Sequence, residues 1–241
     1  MLTGKRPLED TAPRVVSRLM LRYLLFDLDN TLYSDSTGLE RATFARICAF
    51  TADFLGMETQ AALELRKSRM RFFGTTLEWL MTDHGFTDIE GFFAAVHPEG
   101  EEFSLQPDPG LGLLLDRLDL PKAIFTNAPM EHALRILRKL GIEDRFEAIY
   151  DIRFSGFRGK PAAEAFARVC AACGTVPEDT LFVDDLPPYV QGFVDIGGRG
   201  VLIDELDRHP ESRLTRIHGL AELSSIVSGE RAAESQLGLF S

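Results

Sequence analysis

The chain has 241 residues, of which 45% are hydrophobic and 26% are charged, as is typical of a globular protein with a substantial core. Its formal net charge of -11 argues against a broad basic face, so we expect no nucleic-acid polymer as a partner. No apolar run approaches the roughly 20 residues of a membrane span, and the N-terminus has no apolar signal core, so we expect no membrane partner. The CxxC pair Cys170 and Cys173 lacks a second pair at zinc-site spacing, and a reducing cytoplasmic location is expected.

The first predicted strand is the apolar run "YLLF" (23–26), which leads directly into the carboxylates of Asp27 and Asp29. Two ionised acids this close repel each other, and burying them is costly unless a cation pairs with them. The end of this strand is therefore the first candidate site along the chain. The residues before it, 1–19, are interpreted as a flexible N-terminal arm.

Residues 35–106 carry four helical patterns separated by glycines or turn residues, and no strand pattern interrupts them. A helical block of this length between two strands is best interpreted as an inserted helical module, a cap. The α/β core is then expected to comprise residues 20–34 and 107–230, followed by a C-terminal tail at 231–241.

The remaining apolar runs follow the cap. They predict strands at 122–125, 180–183 and 200–203, with a further short strand at 150–152. These runs do not alternate with polar residues, so both faces of each strand should be buried, as in a parallel sheet. Helical patterns at 129–142 and 161–174 lie between them. This alternation predicts an α/β fold with a Rossmann-like, three-layer parallel sheet.

Polar residues follow the predicted strands at the sheet edge where open α/β folds bind ligands. They are Asp27, Asp29, Thr31, Thr126, Asn127, Asp184 and Asp185, joined by Lys160 just before a helix. Each alone has an ordinary structural explanation as a helix cap, a turn residue or a solvated side chain. Their joint occurrence at successive strand ends instead favours one site built from carboxylates, a hydroxyl, an amide and an ammonium group.

This set of motifs resembles the haloacid dehalogenase superfamily of phosphohydrolases. The four motifs of that superfamily stand in order as "DLDNT" (27–31), "TNA" (126–128), "GKP" (159–161) and "VDD" (183–185). The helical insertion is similar to the C1-type cap of the superfamily. Within it, "LLFDLDNTLYSDSTGL" and the later "GTTLEWL" resemble the pyrimidine 5'-nucleotidase group.

The resemblance implies catalytic roles for three residues. Asp27 would be the nucleophile that becomes an aspartyl phosphate, and Lys160 would neutralise it. Asp29 would be the general acid for the leaving alkoxide and then the general base for water. Crowding by other carboxylates should raise the pKa of Asp29. The dehalogenases of the superfamily lack this second aspartate, so its presence favours phosphate-ester chemistry.

The same resemblance implies the binding residues. Thr126 and Asn127, with backbone N–H groups around Leu28, would bind the phosphoryl oxygens. The expected cofactor is Mg²⁺, a hard cation that prefers oxygen ligands. Its ligands would be the carboxylates of Asp27, Asp184 and Asp185 and the backbone carbonyl of Asp29.

The cap would select the leaving group of the substrate. Thr76 and His97 are the predicted substrate contacts there, although a helix-end role for His97 is equally compatible with its position. Phe72 and Phe73 are expected in the apolar core of the cap. The other histidines show no metal-ligand spacing and are expected at the surface: His84, His132, His209 and His218.

Together these observations predict a cytoplasmic, Mg²⁺-dependent phosphatase that acts on a small phosphorylated metabolite. A pyrimidine nucleoside 5'-monophosphate is the first candidate substrate. A sugar-phosphate or phosphoglycolate phosphatase, or a phosphomutase, remains an alternative within the superfamily. A non-catalytic binding or regulatory protein is the alternative of another class, although such a protein needs neither Asp29 nor Lys160.

Overall fold

A computed structural model describes residues 20–229, so the predicted arm at 1–19 and tail at 231–241 lie outside the described residues. Within this part of the chain six strands form one fully parallel sheet. They are β1 (Tyr23–Phe26), β2 (Lys122–Phe125), β3 (Ala148–Tyr150), β4 (Thr180–Asp184), β5 (Arg199–Ile203) and β6 (Thr215–Ile217). Their order across the sheet is β3-β2-β1-β4-β5-β6, so β1 and β4 lie at its centre.

The predicted parallel sheet is confirmed, with small shifts at the strand ends. The third strand lies at Ala148–Tyr150 rather than at 150–152. It ends early because Asp151 already belongs to the next turn, where its Oδ1 accepts a hydrogen bond from the N–H of Phe154. The sixth strand was not predicted, because "TRI" is too short and too polar to show an apolar run.

Helices lie on both faces of the sheet and in the segment between β1 and β2. Those of eight residues or more among the described residues are α1 (Leu39–Leu55), α2 (Thr59–Arg69), α3 (Thr76–His84), α4 (Ile89–Val96), α5 (Pro109–Arg117), α6 (Met130–Leu140), α7 (Ala163–Ala172) and α8 (Pro187–Asp195). Alternate residues of β1 point to opposite faces. Phe26 belongs to an apolar cluster that includes residues of α5 and α6, whereas Leu25 belongs to one with residues of α7 and α8. The core is therefore three layers deep, as predicted.

The helices between β1 and β2 have an apolar cluster of their own. It contains Trp79, Leu80 and Phe92, and the core contributes Ile152 to it. No strand occurs anywhere in the fully described segment 35–106, so the predicted helical patterns are confirmed. Its action as a cap stays a prediction. None of the helices that the structure describes is long and apolar enough to cross a lipid bilayer.

The aromatic centre of the α7 face provides a test of the packing. The Phe166 ring is fully buried and its centroid lies 5.0–5.4 Å from those of Phe125, Phe182 and Phe193. Phe166→Ala should therefore lower the free energy of unfolding by about 3–5 kcal/mol, because it leaves a cavity. Urea denaturation measures this loss, with Phe103→Ala, whose ring is 72% exposed, as the matched control. Equal losses in the two variants would contradict the packing described.

Candidate active site

The central strands bring the predicted site residues to one edge of the sheet. The register pairs Phe26 with Val183, so Asp27 and Asp184 leave their strands side by side. The N–H of Asp27 still donates to the carbonyl of Val183 at 2.9 Å, which extends the ladder by one residue. Thr126 follows β2 at the same edge. Because all strands are parallel, these polar groups meet where the apolar runs end.

Lys160 links the two central strand ends. Its Nζ donates to Asp27 Oδ1 and to Asp184 Oδ2, both at 2.6 Å, and the side chain is only 1% exposed. Burial by itself would lower the pKa of Lys160, but the attraction of Asp184 and Asp27 outweighs it and raises the pKa. The ammonium group therefore stays charged and offsets part of the repulsion between the two acids.

Asn127 holds the backbone of Lys160 in place. Its Nδ2 donates to the Lys160 carbonyl at 3.0 Å, and its Oδ1 accepts from the Lys160 N–H at 2.9 Å. A Cβ at position 159 would collide with the Asn127 amide, so glycine is required there for this close approach. This clamp explains why "TNA" and "GKP" occur together. A direct contact of Asn127 with a phosphoryl group stays a prediction.

Thr126 and Leu28 occupy the positions expected for them. Thr126 is buried, and its Oγ1 accepts from the N–H of Ala128 at 3.0 Å, which leaves the hydroxyl proton free to donate elsewhere. The Leu28 side chain is fully buried in the core, and its carbonyl accepts from the N–H of Leu32 at 3.0 Å. Phosphoryl binding by Thr126 and by the backbone N–H groups near Leu28 stays a prediction.

Three carboxylates form a candidate metal site beside the lysine. Oxygen atoms of Asp27, Asp184 and Asp185 all lie within 4.8 Å of one another. Burial, together with repulsion from Asp184 and Asp29, raises the pKa of Asp27 to about 7 despite the attraction of Lys160. Burial and the neighbouring acids also raise the pKa of Asp185 well above its usual value. This excess of negative charge and hard oxygen donors fits Mg²⁺.

Asp29 is held by two hydrogen-bond donors on one oxygen. Tyr33 Oη donates to Asp29 Oδ1 at 2.6 Å, and His132 Nε2 lies 2.8 Å from the same atom. Burial raises the pKa of Asp29, but the attraction and hydrogen bond of His132, with the bond from Tyr33, lower it to about 2. The predicted rise in the pKa of Asp29 was therefore wrong, because this partner had not been recognised.

His132 was expected at the surface, and that prediction was also wrong. Its side chain is 1% exposed, and its second ring nitrogen, Nδ1, lies 2.6 Å from Glu101 Oε1. Burial would lower the pKa of His132, but Asp29 and Glu101 raise it to about 10, so both ring nitrogens donate. The sequence held a signal, because His132 shares a helical face with the buried Ile136 and Leu140 at a spacing of four residues.

A second group of possible metal ligands surrounds Glu101. Ligand atoms of His97, Glu101 and His132 lie within 4.8 Å of one another. However, the guanidinium groups of Arg46 and Arg135 also form ion pairs with Glu101, the latter at 3.2 Å. A metal cation would be repelled by these two charges. The group is better described as an ion-pair network that reaches Asp29 through His132.

A cavity of about 440 Å³ opens over the carboxylates. The predicted site residues that line it are Asp27, Asp29, Thr76, His97, Thr126, Asn127, Lys160 and Asp185. The side chain of Thr76 is buried, and its Oγ1 accepts a hydrogen bond from Arg66 Nε at 2.7 Å. The hydroxyl oxygen is therefore already engaged by a neighbouring residue of the cavity. His97 ends α4, and its ring lies 4.3 Å from that of His132. Substrate contact by Thr76 or His97 stays a prediction.

Arg66 of α2 also lines the cavity, and it was not predicted as a site residue. Its guanidinium lies 4.9 Å from the ring centroid of Phe44, and among the described residues no carboxylate comes within ion-pair distance. It can therefore donate hydrogen bonds into the cavity.

Phe72 was expected in the core, but its side chain is 64% exposed, with the Arg71 guanidinium 4.5 Å from its ring centroid. Phe73 is partly buried against the apolar cluster of Trp79, Leu80 and Phe92.

Comparison with known families agrees with this geometry. Residues 21–197 match the haloacid dehalogenase-like hydrolases, a stretch that covers well over half of the chain. The chain belongs to this family. The matched segment runs from β1 to just beyond α8, so it includes the whole constellation of carboxylates and Lys160.

Individual proteins are similar to this chain over most of its length. Phosphate metabolism protein 8 of Saccharomyces cerevisiae is 26% identical over 222 residues, covering 86% of this chain and 69% of its own length. A HAD phosphatase from Thermococcus onnurineus superimposes with a TM-score of 0.60 at 22% identity, covering 87% of this chain and 99% of its own. The magnesium-bound HAD-hydrolase YfnB of Bacillus subtilis gives 0.55 at 20% identity, covering 86% and 99%.

Removal of one acid tests the candidate metal site. Asp185→Asn should weaken Mg²⁺ binding by at least about tenfold, because it takes one charged oxygen donor from the cluster. Isothermal titration calorimetry measures the affinity, and a thermal melt checks the fold. The matched control is Asp53→Asn, which makes the same chemical change at an exposed position of α1. Unchanged Mg²⁺ affinity in Asp185→Asn would contradict the assignment of this residue as a ligand.

Proposed function

We propose that this hydrolase is a Mg²⁺-dependent phosphatase that acts on small phosphomonoesters through a phosphoryl group carried by Asp27. One observation carries the proposal: Asp27, bound to Lys160, and Asp29 with its own two donors line the same cavity. One acid can thus act as nucleophile while the other serves the leaving group. A divalent cation would complete the site, and a magnesium-bound relative of the same fold supports this choice.

In the first step a carboxylate oxygen of Asp27 attacks phosphorus. An O–P bond to Asp27 forms while the bond from phosphorus to the ester oxygen breaks, and Asp29 gives its proton to the departing oxygen. Lys160 occupies Oδ1 of Asp27, so Oδ2 is the oxygen available for attack. In the free site His132 and Tyr33 hold the pKa of Asp29 at about 2, so Asp29 must take up this proton from water or from the substrate as the substrate binds. The negative charge of the bound phosphoryl group favours this uptake.

In the second step water attacks the phosphoryl group on Asp27. Asp29 now accepts a proton from that water, the bond between Asp27 and phosphorus breaks, and inorganic phosphate leaves. Asp27, Asp184, Asp185 and the Asp29 carbonyl would hold Mg²⁺, whose positive charge would reduce the repulsion between the carboxylate and the phosphoryl group. The hydroxyl of Thr126 is free to donate to a phosphoryl oxygen.

Dehalogenation is the other chemistry that the family name includes. A halide leaves as a stable anion and needs no proton, whereas an alkoxide must be protonated as it leaves. The structure holds Asp29 in the cavity with two dedicated donors, Tyr33 and His132, which supports ester hydrolysis. A binding protein without catalysis would gain nothing from crowding these acids around one buried ammonium group, since each loses hydration there.

For the substrate, a pyrimidine nucleoside 5'-monophosphate is the candidate that the cavity supports best. Its volume of about 440 Å³ can hold an organic leaving group beside the phosphoryl site. Phe44 and Phe93 offer apolar walls for a base, and Arg66 offers donors for its carbonyl oxygens.

The three cysteines of the described residues are free thiols, which supports a reducing, cytoplasmic location.

Loss of the nucleophile tests the proposed chemistry. Asp27→Asn should reduce phosphatase kcat by more than about 10³-fold, because an amide cannot form the phosphoryl intermediate. Release of inorganic phosphate from an aryl phosphate and from UMP measures this, with Asp53→Asn as the control. Full activity of Asp27→Asn would contradict the assignment. Conversion of a sugar phosphate into an isomer, with no phosphate release, would instead identify a mutase.

Specificity for the leaving group should depend on Arg66. Arg66→Gln is expected to lower kcat/KM for UMP and CMP by about 10–100-fold, because it removes a charged donor to the base. An aryl phosphate that has no such acceptors should lose much less. Arg69→Gln, on the more exposed side of the same helix, is the matched control. An equal fall in kcat/KM for all substrates would show that Arg66 does not select the leaving group. A wild type with higher kcat/KM for other esters than for UMP and CMP would rule out the nucleotidase.

A further inference from the structure

The two carboxylate oxygens of Asp29 differ in their hydrogen bonding. Tyr33 Oη and His132 Nε2 both bind Oδ1, at 2.6 and 2.8 Å. Among residues 20–229, no hydrogen bond reaches Oδ2. One oxygen is therefore fixed and the other is free. Because Asp29 lines the cavity beside Asp27, the free oxygen is the one that can meet a departing ester oxygen.

His132 is itself held from its far side. Its Nδ1 lies 2.6 Å from Glu101 Oε1, so a carboxylate stands at each ring nitrogen. Rotation of the imidazole ring about the Cβ–Cγ bond would break the contacts with both Glu101 and Asp29. The ring of His97 packs against it at 4.3 Å between centroids. The orientation of His132 is thus determined by Glu101, 31 residues away along the chain.

Glu101 is fixed in turn by two guanidinium groups. Arg46 comes from α1, and its Nε donates to the Val96 carbonyl at 2.6 Å. Arg135 comes from α6, and its Nη2 donates to the His97 carbonyl at 2.9 Å and to Glu101 Oε1 at 3.2 Å. Both cations thereby bind the chain at the end of α4 as well as Glu101 itself. The helical segment 35–106 thus contributes to the placement of Asp29 through His132.

We propose that His132 is a positioning residue for proton transfer: with Tyr33 it fixes Asp29 Oδ1, so that Oδ2 faces the leaving group, and Glu101 keeps the imidazole in that orientation. The role rests on the proposed phosphatase function, in which Asp29 is the general acid. His132 itself touches neither phosphorus nor the ester oxygen. The proton passes from Asp29 Oδ2 to the ester oxygen as the bond from that oxygen to phosphorus breaks.

This role predicts a dependence on the leaving group that a purely structural residue would not show. Proton transfer needs a donor within hydrogen-bond distance of the departing oxygen. If the Asp29 carboxyl group samples several orientations, it meets that condition less often. An alkoxide leaving group needs the proton, whereas the anion of an acidic nitrophenol leaves without it. Loss of His132 would also let the pKa of Asp29 rise, but a proton on a misplaced carboxyl group does not reach the ester oxygen. The loss should therefore harm alkyl esters far more than nitrophenyl esters.

The experiment compares kcat/KM for UMP and for 2,4-dinitrophenyl phosphate, because this parameter reports the steps up to formation of the phosphoryl intermediate. His132→Leu should lower the value for UMP by about 10–100-fold and that for the nitrophenyl ester by less than about threefold. His132→Gln, which can place an amide N–H near Oδ1, should recover most of the loss. His84→Gln, at an exposed histidine, is the control.

Tyr33→Phe keeps the proposal testable if His132→Leu fails to fold, since it removes only the other donor to Oδ1. It should show the same preference for the nitrophenyl ester. An equal fall for both esters in the folded variants, or no fall, would overturn the positioning role and leave the phosphatase intact. A wild type that hydrolyses neither ester would overturn the phosphatase function and the positioning role together.

Discussion

The ion pairs of Lys160 with Asp27 and Asp184 are the interaction on which the rest of the site depends. Four carboxylates crowd at the carboxyl ends of β1 and β4, and burial makes each of them costly to ionise. One ammonium group at 2.6 Å from two of them offsets only part of that charge. The remaining negative charge would attract a divalent cation, and the bound cation would in turn attract a phosphoryl group.

The fold makes this crowding possible because its strands are parallel and their ends coincide. The apolar residues of β1 and β4 fix the register that sets Asp27 beside Asp184. The Asn127 amide then fixes the backbone of Lys160 between them. Asp27, its counter-ion Lys160 and the candidate metal ligands are therefore all positioned by the α/β core. The organic part of a substrate, in contrast, would meet Arg66 and the aromatic residues of the helical segment.

The sequence predicted what depends on local pattern. Unbroken apolar runs predicted the strands. The polar residues after them predicted the site, because the carboxyl ends of parallel strands lie at the same edge of a sheet. It did not predict β6, whose residues are too polar, or the burial of His132. The environment of His132 comes from Asp29 and Glu101, which are 103 and 31 residues distant, so only the folded chain brings them together. The wrong prediction for the pKa of Asp29 has the same cause.

In the proposed function Asp27 carries a phosphoryl group during turnover. Acid quenching of the wild type during turnover of a phosphate ester, followed by peptide mass spectrometry, tests this directly. The mass of one phosphoryl group should appear on the peptide that contains Asp27, and hydroxylamine should remove it, as expected of an acyl phosphate. A phosphoryl group on another residue, or turnover with no labelled peptide at any quench time, would contradict the claim.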